Sequence, residues 1–287
     1  MRRGASPTPA AQRGVALILI MWLIALLAGI VGAFAWATQS ERLAERGLSR
    51  GLAAQQAARA GIEYAIVQVQ RNDRRRWAPD GRDYRWAFGS ARLEIAIDDE
   101  SGKVDLNMAD HGLLSRLLIE CDTPRDIAER LAGAIIDWRD PDSLTQVAGG
   151  AEDGDYASSE LPYGAKDAVF STVAEVEQVL GMTPRLYAKC APFLTIYGGR
   201  ATPDPRMAKA EVLRAMQLDP ERQPGHGTSA PPSPELVVGS GTYSIASHAR
   251  MADGSQALLR VVVQPGASRL PGATYSVLRW EEGAMPR

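Results

Sequence analysis

The sequence predicts an α+β protein with an N-terminal transmembrane and stem helix, an antiparallel sheet, and a mainly helical domain inserted into that sheet. Three observations support this class. An uncharged stretch near the N-terminus is long enough to cross a membrane, strand-like alternation occurs before and after the middle of the chain, and the middle itself shows helical spacing. Because strands flank a helical block, we expect the block to be an insertion.

The uncharged stretch runs from Val15 to Ala37. At a rise of ~1.5 Å per residue it is ~35 Å long, which exceeds the ~30 Å hydrocarbon core of a bilayer. Arg2, Arg3 and Arg13 precede it without any Asp or Glu, whereas charges of both signs follow it. We therefore expect one membrane-spanning helix, with the N-terminus in the cytoplasm and the bulk of the chain outside. These residues also leave open a simple signal anchor.

The basic leader ends at Gly14, directly before the apolar run and not after it as in a secretory signal. This junction resembles a class III prepilin signal, which prepilin peptidase cuts on the cytoplasmic side. The resemblance implies a leader of residues 1–14, cleavage after Gly14, and N-methylation of Val15. Most pilin-like proteins carry Glu at mature position five, where this chain has Leu19. Absence of that Glu is typical of the minor pseudopilin K family of type II secretion (general secretion pathway protein K).

The helix is expected to continue past the membrane, so that the transmembrane and stem helix covers residues 15–70. The stretch from Ala57 to Ala65 resembles the N-terminal helix of K-family proteins. Apolar residues recur at helical spacing along the stem: Leu48, Leu52, Ile62, Ile66 and Val69.

A pilin-like β domain is expected from two separate segments, residues 71–103 and 235–287. Tyr84 to Ile97 alternates between apolar and polar residues, with a break at Gly89-Ser90. Further strands are predicted after the helical block, the first two joined by a tight turn: Thr242–Met251, Gln256–Gln264 and Ala273–Trp280.

The inserted α-helical domain is expected over residues 104–218, followed by a flexible linker at 219–234 that is rich in Pro and Gly. Thr123 and Thr183 each precede a proline and are expected to cap helices. Four helices are predicted by pattern: Ala109–Leu118, Pro124–Trp138, Thr172–Leu180 and Pro184–Pro192.

Six carboxylates are concentrated in a loop with Gly and Pro between Asp137 and Tyr156. Hard oxygen ligands on a flexible loop suit calcium, although the spacing is not that of an EF-hand. Composition alone leaves a solvated acidic loop open.

The same loop resembles the signature of the K family, Asp-Trp-x-Asp-x-Asp followed by Gly-Gly-Ala-Glu-Asp and an aromatic residue, with Ser101–Asn107 leading into it. In that family the acidic loop binds calcium. The resemblance therefore implies calcium as a cofactor. Gly154 and the Tyr156-Ala157 pair depart from the family pattern, which leaves the ligand set open. The candidate ligands are Asp140, Asp142, Glu152, Asp153 and Asp155.

Cys121 and Cys190 are the only cysteines of the chain. Both fall in the part expected outside the cytoplasm, where disulfides persist. We predict a bridge between them, with two buried free thiols as the alternative.

The segment from Val173 to Leu194 resembles the helix-hairpin-helix-like part of the K family. Such hairpins can bind the DNA backbone, but only Arg185 and Lys189 supply nearby positive charge, against Glu175 and Glu177. The formal net charge of -2 also argues against a phosphate-binding surface. We expect packing or protein contact here and no nucleic-acid partner. Since no G-x-S-x-G, P-loop or H-E-x-x-H motif is present, the chain is not expected to be an enzyme.

The resemblance implies a minor pseudopilin at the tip of the type II secretion pseudopilus, which nucleates assembly for the export of folded proteins across the outer membrane. The implied partners are the minor pseudopilins I and J, then H and the major pseudopilin, together with prepilin peptidase and the inner-membrane assembly platform. The implied location is the bacterial inner membrane, with the bulk periplasmic. A membrane-anchored periplasmic receptor, or a DNA-binding module that uses the hairpin, is the alternative; a periplasmic enzyme is a third hypothesis without nominated catalytic residues.

Overall fold

A computed structural model of the chain describes residues 12–147, 149–222, 239–266 and 274–283. The chain divides into two compact units, Met1–Ala53 and Ala54–Arg287. Helices occur together with an antiparallel sheet, which confirms the predicted α+β class. Residues 1–11 of the expected leader and 223–234 of the expected linker lie outside the described residues.

The first helix, α1, spans Gln12–Val69 and has residues in both units. In the N-terminal unit, the segment Ala16–Phe34 is long and apolar enough to cross a membrane, and none of it is buried. In the C-terminal unit, the helix buries one stripe of small and branched side chains at three- and four-residue spacing. This stripe consists of Ala54, Ala57, Ala58, Ile62, Ala65, Ile66 and Val69.

The strands of the described residues follow α1 and lie on both sides of the helical block. The five long strands form an antiparallel sheet in the order β1-β2-β5-β6-β7, and the two short strands, β3 and β4, pair in parallel. The break predicted at Gly89-Ser90 is the turn between the first two strands. The bounds are β1 Asp80–Phe88, β2 Ala91–Asp99, β3 Val104–Asp105, β4 Leu194–Thr195, β5 Tyr243–Arg250, β6 Gln256–Pro265 and β7 Tyr275–Gly283.

One face of the sheet packs against α1. On β2, Leu93, Ile95 and Ile97 are buried and alternate with more exposed residues, as expected for a sheet with one fully covered face. Gly61 lies where helix and sheet approach closely. A Cβ atom at this position would lie 2.3 Å from Ser247 Oγ and 2.6 Å from Leu93 Cδ2. The missing side chain is therefore what allows this approach.

A block of helices lies between β2 and β5, and its buried side chains form a core separate from the one beneath α1. Cys121, directly after α2, and Cys190, the last residue of α5, are joined by a disulfide, with Cα atoms 5.8 Å apart. Both cysteines are buried. The helices are α2 His111–Glu120, α3 Arg125–Arg139, α4 Asp153–Ser158, α5 Pro184–Cys190 and α6 Ala210–Ala215.

Two of the predicted helices differ from the structure. The segment predicted as Thr172–Leu180 is a shorter 3-10 helix, Val173–Gln178. It ends at Gln178 because Val179 is already extended, with ψ 131°. The helix predicted to reach Pro192 ends at Cys190, and a separate 3-10 turn that contains the proline follows it. A proline inside an α-helix removes a hydrogen bond and clashes with the preceding turn.

One of the two predicted threonine caps is confirmed. Thr183 caps α5, and its hydroxyl accepts a hydrogen bond from the Leu186 amide at 3.2 Å. The prediction for Thr123 is wrong, because the N-cap of α3 is Pro124. Pro124 has a non-helical ψ of 142°, so the helix begins one residue later than the capping pattern requires.

Two buried carboxylates fasten the helical block where the chain leaves and re-enters the sheet. Asp99 is 1% exposed and accepts a hydrogen bond from the Ser240 amide at 2.7 Å. Glu100 is 2% exposed, pairs with Lys103 Nζ at 2.6 Å and accepts a hydrogen bond from the Ser244 hydroxyl. Since a buried charge is tolerated only with such partners, these contacts fix the position of both chain crossings.

Gly61→Ala is expected to lower the free energy of unfolding by about 1–3 kcal/mol, because its Cβ would overlap the sheet. Gly51→Ala is the matched control on the same helix, since a Cβ at Gly51 meets nothing within 4 Å. It should be neutral or stabilising, because Ala favours a helix over Gly by up to ~1 kcal/mol. Thermal unfolding of both variants in detergent, followed by circular dichroism, measures the difference; equal melting temperatures would contradict the close approach.

Candidate functional site

The acidic loop connects the end of α3 to the start of α4. Asp137, in the last turn of α3, is fully buried, and its carboxylate accepts hydrogen bonds from the amides of Gln146 and Ala151 at 3.3 and 2.8 Å. The loop is therefore held to α3 at two points of its backbone.

The structure divides the five candidate calcium ligands into two groups. Asp140 Oδ1 and Glu152 Oε1 are buried atoms without a hydrogen-bond partner among the described residues. Asp142 lies beside them and accepts the Leu144 amide at 2.9 Å. These three carboxylates are close enough for their charges to interact.

The other two candidates have different surroundings. Asp155 Oδ2 accepts the Glu152 amide at 3.0 Å and completes a capping box at the start of α4. The Asp153 carboxylate lies against Gly164, where a Cβ atom would be 1.8 Å from Asp153 Oδ1. The capping contact gives Asp155 a structural reason to be present that does not involve a metal.

Asp167 interacts electrostatically with the same carboxylates, although its position in the sequence does not predict this. It is exposed, has a positive φ of 53°, and its charge acts on Asp140 and Glu152. It lies beyond α4 and outside the acidic motif, so no spacing in the sequence connects it with the loop. The buried Asp137 was part of the motif but was not nominated as a site residue.

Burial, together with neighbouring carboxylates, raises the pKa values of Asp137, Asp140 and Glu152. Burial, followed by the charges of Asp137 and Asp167, raises the pKa of Glu152 to about 7. Burial also raises the pKa of Asp140, to which the charge of Asp142 adds, and it raises the pKa of Asp137. Each direction shows that the negative form is poorly compensated within the protein.

Two basic side chains near these carboxylates, Lys166 and Arg139, form hydrogen bonds with other partners. Lys166, adjacent to Asp167, pairs with Glu175 Oε2 at 2.6 Å and donates to the Val169 carbonyl at 2.8 Å. The Arg139 guanidinium donates to the backbone carbonyls of Ala109, at 2.6 Å, and Leu106. The hydrogen bonds of both groups thus go to partners outside the loop, although the charge of Arg139 still acts on Asp140.

The donor chemistry of the loop fits a hard divalent cation such as calcium. Orphaned carboxylate oxygens at Asp140 and Glu152 are the observation that supports this fit. Within the ranges that the structure describes, no three His, Cys, Asp or Glu side chains are already arranged to hold a metal. Binding would thus require these oxygens to draw together.

The hairpin-like segment contributes to the core of the helical block. Val173, Val176 and Val179 are buried there together with Cys190. Its basic residue Lys189 pairs with Asp122 at 2.7 Å. The packing accounts for the apolar residues of this segment.

The membrane-type segment presents apolar side chains along its whole length. Leu19, at the position where most pilin-like proteins carry Glu, is 64% exposed. Gly14 and Val15 lie within the first turns of α1.

Comparison with known proteins finds similarity to one family. Residues 95–199 match the family model "Type II secretion system (T2SS), protein K". The chain is 27% identical over 209 residues to "Type II secretion system protein K" of Pectobacterium carotovorum subsp. carotovorum, which covers 64% of this chain and 62% of the relative. It is 25% identical over 208 residues to "Putative type II secretion system protein K" of Escherichia coli (strain K12), with coverage of 64% and 62%. These matches support a relationship to the type II secretion system protein K family.

The chain also shares its fold with a solved structure. That structure is the crystal structure of the GspK-GspI-GspJ complex from the type 2 secretion system of enterotoxigenic Escherichia coli. The match has a TM-score of 0.54 and 19% sequence identity, and it covers 86% of this chain and 99% of the other. The alignments with the two curated relatives span 62% of the length of each.

The raised pKa of Glu152 predicts a specific pH dependence of stability. Between its ordinary value of 4.5 and about 7, the folded state keeps a proton that the unfolded state has lost. Stability without calcium should therefore fall as pH rises from about 5 to about 7.5. Calcium binds the ionised carboxylates, so its stabilising effect should grow over the same interval.

Melting temperatures with calcium and with chelator, measured across this pH range, check the prediction. Glu152→Gln should flatten the pH dependence of the chelated protein and reduce the calcium-induced shift. The lowered pKa values of Asp73 and Glu175 act below this interval, so they do not mask the effect. A calcium shift that is equal at both ends of the range would count against the site.

Proposed function

We propose that this protein is a minor pseudopilin at the tip of the type II secretion pseudopilus, where it nucleates assembly with other minor pseudopilins for the export of folded proteins. One observation carries the proposal: a complete helical domain, with its own core, is inserted between two neighbouring strands of the sheet that packs on α1.

The position of the insertion supports a terminal place in the filament. The helical domain attaches where β2 ends at Asp99 and β5 begins at Tyr243. The Asp99 amide donates to the carbonyl of Pro79, shortly after the C-terminal end of α1, at 3.0 Å. The domain therefore lies at the end of the sheet that the C-terminus of α1 reaches. If subunits stack with parallel stems, its bulk occupies the space of a following subunit.

Leu19 supports a place at the start of assembly. After cleavage following Gly14 it would be mature position five. In a filament, a carboxylate at this position would pair with the terminal ammonium of a neighbouring subunit, an attraction that is strong where water is scarce. A subunit without this carboxylate has no such partner to offer a subunit already in place, so it fits best as the first one.

The proposed partners follow from the family and from the related complex. The solved relative is a complex with GspI and GspJ, which supports minor pseudopilins I and J as the direct partners. Minor pseudopilin H, the major pseudopilin, prepilin peptidase and the inner-membrane assembly platform complete the proposal. The apolar segment Ala16–Phe34 is consistent with a single-pass inner-membrane protein, and we propose a cytoplasmic N-terminus and a periplasmic bulk.

Calcium is the proposed cofactor of the helical domain. Asp140, Asp142 and Glu152 would hold it, with Asp167 adding negative charge at the same place. When bound, calcium supplies positive charge that compensates the carboxylates. The residues themselves then link the end of α3 to the start of α4, which rigidifies the inserted domain.

The mature protein is expected to begin at N-methylated Val15 in cells that contain prepilin peptidase. Mass spectrometry of the N-terminal peptide from membranes with and without the peptidase measures this. An intact leader in both strains, or a cut after Ala37, would remove the pseudopilin proposal.

Removal of the helical domain together with Leu19→Glu should abolish the restriction to filament ends, because it eliminates both proposed causes. Asp99 and Tyr243 are register partners in neighbouring antiparallel strands, so residues 100–242 can be replaced by an Asn-Gly hairpin turn. The shortened protein that carries Leu19→Glu should be found along the length of pseudopili, and not only once per end, as counted by immunogold labelling. Strand content by circular dichroism controls for folding. Confinement to the ends with full secretion would contradict the proposed role of the domain.

A further inference from the structure

The buried Asp137 carboxylate is engaged by loop backbone on both oxygens. Oδ2 accepts the Ala151 amide at 2.8 Å, and the Gln146 amide donates to Oδ1 at 3.3 Å and Oδ2 at 3.4 Å. A carboxylate that accepts two backbone amides from separate points of one loop acts as a template for that loop. The Asp137 carboxylate therefore holds the loop backbone in place, and both of its oxygens are already hydrogen-bonded.

Two glycines allow the loop backbone to lie directly on this support. A Cβ at Gly150 would lie 1.9 Å from Asp137 Oδ2, and a Cβ at Gly133 would lie 1.6 Å from the Gly149 carbonyl oxygen. The loop can therefore contact α3 only because residues 133 and 150 have no side chain. This contact explains why the acidic motif contains the Gly149-Gly150 pair.

The neighbours of Asp137 show the opposite pattern. Asp140, one turn later, and Glu152, next to the tethered Ala151, each keep a buried carboxylate oxygen without a partner among the described residues. The amide of Ala151 is the backbone group that Asp137 fixes directly before Glu152. Asp137 is therefore fully hydrogen-bonded to the loop backbone, whereas Asp140 and Glu152 each keep a carboxylate oxygen that is unpaired within the described part of the chain.

We propose that Asp137 is the positioning residue of the calcium site and does not itself bind the ion. It holds the backbone at Gln146 and Ala151 so that Glu152 faces the same place as Asp140. This inference rests on the proposed calcium function. Residues that orient metal ligands typically change affinity by about 10- to 100-fold when they are replaced, and we expect a loss of this size.

Terbium binding to the full chain in detergent tests the inference, because the luminescence lifetimes of bound Tb³⁺ in H₂O and D₂O count the waters on the ion. Asp137→Asn should weaken binding at least about tenfold while the number of bound waters at saturation stays unchanged. Asp140→Asn should weaken binding and add a bound water, because it alters a direct ligand. Asp126→Asn, which removes an exposed carboxylate from the same helix, should behave as wild type.

Gly150→Ala keeps every charge and disturbs the same contact, since its Cβ would overlap Asp137 Oδ2. It should therefore reproduce the affinity loss of Asp137→Asn. Amide hydrogen exchange without ion supplies a second readout. The amides of Gln146 and Ala151 should exchange faster in Asp137→Asn and in Gly150→Ala than in the wild type. Their exchange rates should be unchanged in Asp140→Asn.

The possible failures are distinguishable. Wild-type affinity in Asp137→Asn would overturn the positioning role and leave the calcium site standing. An additional bound water in Asp137→Asn would make Asp137 a ligand and overturn the inference in another way. A wild-type protein that binds neither Tb³⁺ nor calcium would overturn the calcium proposal together with the inference.

Discussion

The hydrogen bonding of β2 to β5 is the constraint on which the rest of the structure depends. These strands are neighbours in the sheet, yet the whole helical block lies between them in the chain. Both ends of the block must therefore meet at one place, beside the register pair of Asp99 and Tyr243. The buried carboxylates of Asp99 and Glu100 lie at that place, and their partners come from both sides of the crossing. Polar groups buried in this way favour one arrangement over others, since any shift would leave a charge unpaired.

The two parts of α1 have different surroundings, although both are rich in apolar residues. In its N-terminal part the apolar side chains are exposed all around, as a bilayer would require. In its last turns one stripe of apolar residues is buried, and Gly61 lies where the sheet is closest. In the C-terminal unit, the close approach of the sheet accounts for the small size of the buried residues Ala54, Ala57, Ala58 and Gly61.

The strands and the membrane-type segment could be predicted from the sequence because each has a local signal. A sheet with one covered face produces alternation, and β2 shows it residue by residue. The six-residue α4 is too short for a helical period to be recognised inside an acidic loop. The parallel pair of β3 and β4 depends on residues far apart in the chain. For the same reason Asp167 could not be connected with Glu152, and the acceptor role of Asp137 became visible only with the positions of Gln146 and Ala151.

The disulfide between Cys121 and Cys190 has a consequence for the integrity of the chain. It closes a ring of covalent bonds over a sequence separation of 69 residues, and this ring contains α3, α4 and the whole acidic loop. Leu144 and Val147 make that loop an exposed target, and exposed loops are where proteases cut. A single cut between the two cysteines would leave both fragments tied together and held by the same buried core. A broken peptide bond in this exposed stretch of the helical domain therefore does not divide the molecule.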